Sequence, residues 1–130
     1  MTAATAYLEH TAITVRDIGW HIRFFAEVFG MGCREVDGDP AAPRQYWTVG
    51  GIQLIHDPDH DAPEGRLAHL GLMCQDLDAA LTAAHRFDVI ELPKGRNWLQ
   101  LPDGLRLELM QAAPAASVAQ ALAIDPRAEA

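Results

Sequence analysis

The chain says the same short phrase twice. Leu8–Ile22, LEHTAITVRDIGWHI, and Leu67–Leu81, LAHLGLMCQDLDAAL, each read as strand, cap and helix. At a constant offset of 59 residues, Leu8 matches Leu67, His10 matches His69, Asp17 matches Asp76 and Ile18 matches Leu77. An internal repeat constrains a fold more than any single element, because one unit has to be built twice. In each copy a histidine stands in the middle of the strand.

The rest of the chain follows from periodicity. Tyr7–Val15 alternates, which puts Leu8, His10, Ala12 and Thr14 on one face and Glu9, Thr11, Ile13 and Val15 on the other. Asp17 is placed as an N-cap, and Ile18, Ile22, Phe25 and Phe29 recur at helical spacing, with Gly30 or Gly32 as the stop. Cys33–Val36 reads as a short strand, and Asp37–Pro43, DGDPAAP, as a loop by its turn residues. Gln45–Val49 and Ile52–His56 form a hairpin around Gly50-Gly51. Asp57–Arg66, with two prolines and no apolar period, is a linker.

In the second copy Leu67, His69, Gly71 and Met73 share one face, and Ala68, Leu70 and Leu72 the other. Asp76 repeats the cap, and Leu77, Ala80, Leu81 and Ala84 repeat the stripe. Val89–Leu92 is a strand, and Asn97–Leu101 and Leu105–Met110 flank the turn Pro102-Asp103-Gly104. Met1–Thr5 is a loose end, and Gln111–Ala130 is an Ala-rich tail with a helical turn or two over Ser117–Ile124.

The expected fold is therefore α+β: two βαβββ units forming one cup-shaped mixed sheet, with the helices outside. All 130 residues make a single domain, with units at 7–56 and 67–111, a linker at 57–66 and a tail at 112–130. Each helix buries its stripe on its own sheet face. His10 and His69 then point to the opposite face, into the cup. Gln53 and Glu108 hold corresponding places in the closing strands, GIQLIH and LRLELM. In the last strand Leu105, Leu107 and Leu109 take the helix face, and Arg106, Glu108 and Met110 the cup face.

Composition narrows the partners. A formal net charge of −8 repels phosphate backbones and argues against nucleic acid or an anionic membrane. Cys33 and Cys74 make no spaced metal or redox motif, and no basic-then-apolar leader or long apolar run occurs, so reduced thiols in a cytoplasmic protein are expected.

LEHTAI and LAHLGL opening the halves, with IQLIH and LELMQ closing them, resemble the vicinal oxygen chelate superfamily over about residues 7–111. That group includes glyoxalase I, methylmalonyl-CoA epimerase, extradiol dioxygenases, and fosfomycin and bleomycin resistance proteins. The resemblance implies a cup holding one divalent metal ion on His10, Gln53, His69 and Glu108, and a homodimer. A glutamine at the second ligand position is closer to methylmalonyl-CoA epimerases and glyoxalases than to dioxygenases, which use the other three. The chain departs from the epimerases and glyoxalase I in its shortened loop before Gln53 and its shortened stretch before Glu108.

Two imidazoles and a carboxylate suit Fe, Mn, Co, Ni or Zn. Four protein ligands leave about two octahedral positions, enough for a substrate chelating through neighbouring oxygens. The reading is then a metal-dependent isomerase or lyase acting on a small vicinally oxygenated substrate through an enediolate, and the resemblance to glyoxalases implies Glu108 as the base. An Fe(II) extradiol-type dioxygenase is one alternative, and a drug- or metabolite-binding protein of the bleomycin-resistance type another. Should Gln53 bond only a strand neighbour, the count of four falls. Arg106, Trp47 and Trp98 are candidate substrate contacts, Tyr46 a further lining residue, and Arg44 and Arg96 rim cations. His21, His56, His60 and His85 are read as helix-flank, rim, linker and helix-end residues.

Overall fold

Asp17 and Gly30 bound the first helix, as alternation bounds the strand before it. In the computed structural model, which describes residues 5–62 and 65–127, Ala6–Val15 is β1 and Ile18–Phe29 is α1. The Asp17 carboxylate accepts the Trp20 N–H, one of the donors a helix start leaves without an intrahelical partner. At the other end Gly30 sits at φ 69°, left-handed backbone that glycine adopts without a Cβ clash, and its N–H donates to the Ala26 carbonyl at 3.0 Å. The chain continues as β2 (Cys33–Asp39), β3 (Ala42–Thr48), β4 (Ile52–His56), β5 (Leu67–Cys74), α2 (Leu77–Ala84), β6 (Ile90–Glu91), β7 (Trp98–Gln100), β8 (Arg106–Gln111) and α3 (Val118–Leu122). The order is βαβββ twice, as expected, and α3 falls within the expected Ser117–Ile124. Except for Thr5, the expected loose end lies outside the described residues, as do residues 63 and 64 of the linker and 128–130 of the tail.

Eight strands form one sheet in the order β2-β3-β4-β1-β5-β8-β7-β6. β1 and β4 are parallel, while β2–β3, β3–β4, β6–β7 and β7–β8 are antiparallel, so the sheet is mixed. The chain forms two compact units, one of residues His10–Leu70 and the other of the chain before and after it. In the first, register lines up a helix-facing row: Val36 opposite Tyr46, Tyr46 opposite Leu54, and Leu54 opposite Ile13. With Val15 this row packs on Ile18, Ile22 and Phe25 of α1. In the second, Leu99 opposite Leu107, together with Cys74 and Leu109, packs on Leu77, Ala80, Leu81 and Ala84, the whole stripe read from the sequence.

Two expectations about the extent of the elements and their stripes fail. Asp37–Pro43 is not a loop: β2 runs on to Asp39, β3 begins at Ala42, and only two residues turn. Asp39 accepts the Ala41 N–H, closing the turn on its own side chain, and the register shifts at Asp37/Gly38, where Gly38 sits at φ 93°. Phe29 does not finish the α1 stripe on the sheet. It is 61% exposed, with its ring against Phe24 and Phe25 of its own helix.

Candidate metal centre

β1 and β5 are neighbours in the sheet, and that brings the two repeat-equivalent histidines together. Thr14 donates its N–H to the Arg66 carbonyl at 2.9 Å, and the Arg66 guanidinium returns a bond to the Thr14 carbonyl at 3.2 Å. From that contact β1 leads back to His10 and β5 leads forward to His69. The two Nε2 atoms lie 3.1 Å apart, with the rings edge to face at 86°. Both residues are buried, 4% and 6% exposed. Two imidazoles each binding one divalent ion at about 2.1 Å, at right angles, place their nitrogens about 3.0 Å apart. The spacing fits one ion shared between them.

Gln53 stands on β4 beside Ala12 of β1, in register. It therefore shares the face of Ala12 and His10, opposite the core row of Leu54 and Ile13, and it is buried. Its Nε2 donates to Gln45 Oε1 at 2.5 Å, and Gln45 Nε2 donates to Asp37 Oδ2 at 3.3 Å. Arg44 Nη2 holds the other Asp37 oxygen at 2.9 Å. The Arg44 hydrogen bond keeps the Asp37 carboxyl below the ordinary value of 3.8. So the glutamine does bond a strand neighbour, but through its amino end; its carbonyl end is a separate acceptor.

Glu108, partly buried on β8, stands opposite Trp98 of β7. Glu108 offers a carboxylate where His10 and His69 offer imidazoles. Two imidazoles and a carboxylate are a donor set for a borderline divalent ion.

The other candidates divide by face. Trp47 is paired with Gln53 and shares its face. Arg106, two residues from Glu108, is exposed. Trp98 carries the Lys94 ammonium 4.2 Å over its ring. Tyr46, expected as a lining residue, instead lies in the core against α1, because the register turns it to the helix side. Arg44 and Arg96 pair with Asp37 and Asp78 on the surface. His56 lines a cleft of about 440 Å³ with Arg16, Asp17 and Pro43, which contains none of the candidate ligands. Asp37 and Gln45 carried no functional reading from the sequence. With 37–43 read as a loop, no register joined them to Gln53.

No family model matches the chain. A protein of Bacillus subtilis known as YwbC, described as uncharacterized, is 28% identical over 121 residues, covering 80% of this chain and 96% of that protein. Among solved structures, the methylmalonyl-CoA epimerase of Streptomyces coelicolor, in complex with 2-nitronate-propionyl-CoA, is similar with a TM-score of 0.57 at 17% identity, covering 85% of this chain and 97% of that one. The methylmalonyl-CoA epimerase of Mycobacterium tuberculosis has a TM-score of 0.58 at 20% identity over 82% and 88% of the two chains. The 2,3-dioxygenase LapB of Pseudomonas sp. KL28 has a TM-score of 0.60 at 19% identity, covering 85% of this chain and 45% of that one. Epimerase and dioxygenase are both activities found in the vicinal oxygen chelate superfamily. What this chain shares with them is the fold, and a fold shared by two chemistries does not choose between them.

Proposed function

We propose that the protein is a metal-dependent isomerase or lyase for a small, vicinally oxygenated substrate. His10, Gln53, His69 and Glu108 are the proposed ligands. The observation that carries this reading is the buried 3.1 Å approach of His10 Nε2 to His69 Nε2, close enough for both imidazoles to hold one ion. When bound, a divalent ion supplies Lewis-acid stabilisation of charge developing on a carbonyl oxygen. The chain's own part is to bind and to move a proton. Glu108, acceptor-only when ionised, would take the proton next to that carbonyl and return it to the other face or a neighbouring carbon. Trp47 and Trp98 would wall the substrate, and Arg106 would meet an anionic group on it. A homodimer and a small-molecule substrate complete the proposal.

The test requires no knowledge of the substrate's full identity. Protein loaded with cobalt or nickel is incubated in D₂O with 2-oxo, 2-hydroxy and acyl-thioester compounds. Deuterium should enter next to a carbonyl, and Glu108→Gln should slow this by about 10²-fold or more. Failure of every class to exchange would remove the isomerase reading.

A second reading has one observation of its own. The Gln53 amide is engaged by Gln45, and without it the donors are His10, His69 and Glu108, a two-histidine, one-carboxylate set of the kind that serves Fe(II) oxygenases. Oxygen uptake by the iron-loaded protein with catechols, without solvent deuterium exchange, would favour it.

A further inference from the structure

We infer that Gln45, itself held by Asp37, is a positioning residue that sets which end of the Gln53 amide is presented to the metal. The inference rests on the proposed reading of Gln53 as a ligand and adds to it the device that would make an amide a dependable one.

A glutamine amide has two ends of nearly equal size, and rotation about its last torsion interchanges them at small cost. Only the oxygen end can coordinate a hard or borderline cation, because the amide nitrogen has no lone pair to offer. A buried glutamine on a β-strand therefore needs something that tells its ends apart. Here a carboxylate does so. Asp37 is held ionised by Arg44 and is acceptor-only, so Gln45 must turn its amino group toward it. That leaves the Gln45 carbonyl for Gln53, which must in turn present its own amino group. Polarity passes from carboxylate to amide to amide, and the Gln53 oxygen is the end that the relay does not use.

The backbone is arranged for this relay. Asp37 lies directly opposite Gln45, whereas Gln45 lies opposite Ile55, two residues from Gln53. The second step is thus a diagonal, which long side chains can span and short ones cannot. The register shift comes at Asp37/Gly38, where the chain bulges next to the residue that starts the relay. Gly38 is at φ 93°, and a Cβ there would meet the Arg44 backbone nitrogen at 3.3 Å, so the bulge needs a glycine.

The test is a Co²⁺ titration followed by visible absorption, with the full chain and its variants and without substrate. Gln45→Leu should weaken Co²⁺ about tenfold or more, the range seen when the partner of a ligand is removed. Gln45→Glu made together with Asp37→Asn still offers Gln53 an acceptor without setting two carboxylates against each other, and should stay within about threefold of wild type, which mere loss of packing would not predict. Gln45→Leu combined with Gln53→Ala should be no weaker than Gln53→Ala alone, since both act through one amide. In the metal-free protein the Gln53 side-chain amide resonances should shift in Gln45→Leu. If Gln45→Leu lacks the wild-type circular dichroism spectrum, Gln45→Ala is read in the same way. Wild-type affinity in Gln45→Leu beside weakened Gln53→Ala would overturn the relay and leave the ligand standing. Additive losses in the double variant would overturn it too. Wild-type affinity in Gln53→Ala would remove the ligand and the relay together while leaving a histidine centre. No Co²⁺ bound by the wild-type protein would remove the centre itself.

Discussion

Cys33 and Cys74 show how the same residue type behaves in two surroundings. Cys33 is exposed at the start of β2; Cys74 is fully buried at the end of β5, against Leu81, Leu99 and Leu109. Burial pushes the Cys74 thiol above its ordinary value of 9.0, against a smaller pull from a backbone hydrogen bond with Met110. A thiol reagent should therefore label Cys33 rapidly and Cys74 only on unfolding. The sign of the pH effect follows from the same shift. The unfolded chain gives up the Cys74 proton first, so stability is complete below about pH 9 and declines as pH rises toward the folded value. Burial also raises Tyr46, which adds to the decline at higher pH. Urea midpoints measured from pH 7.5 to 10.5 should fall in wild type, and Cys74→Ala should lose the earlier part of that fall.

At the scale of elements, the repeat is also a repeat of capping chemistry. Asp17 accepts from Trp20 N–H at 3.1 Å, and Asp76 accepts from Ala79 N–H at 3.0 Å, each three residues on. Both bonds satisfy donors that the helix itself cannot. Asp17→Ala and Asp76→Ala should each lower stability by about 1 kcal/mol in denaturant titration, and the double variant by roughly the sum, since the two caps share no partner. The helices stop differently. α1 ends on left-handed Gly30, while α2 ends on His85 in right-handed backbone. The hairpins also differ from their sequence reading for a local reason. Proline and glycine in DGDPAAP do punctuate the chain, but Asp39 closes the turn within two residues and strand pairing takes up the rest.

At the scale of the molecule, the question is whether binding and folding are linked. A ligand that binds only the folded chain stabilises it by about 2.7 kcal/mol at a hundredfold excess over its dissociation constant. Saturating Co²⁺ or Ni²⁺ should therefore raise the melting temperature by about 10 °C, and chelator should reverse the rise. His69→Ala should abolish the shift. Among the described residues, no helix is long and apolar enough to cross a membrane. The likeness to epimerase and dioxygenase structures is one of fold. It leaves the reaction to be decided by side chains.

Much of this protein could be read from residue order. Alternation put His10 and Ile13 on opposite strand faces, and helical spacing picked out the α2 stripe, because both depend only on backbone periods of two and 3.6. The doubling at 59 residues named His69 as the partner of His10 before any geometry was known. Contacts that depend on which strands lie side by side, and in what register, could not be read this way. The 3.1 Å meeting of the two imidazoles requires β1 next to β5. The Asp37–Gln45–Gln53 chain requires β2, β3 and β4 in one register, with a bulge where the sequence suggested a loop. A strand's own pattern limits its register only once its neighbour and the buried face are known, and residue order alone supplies neither.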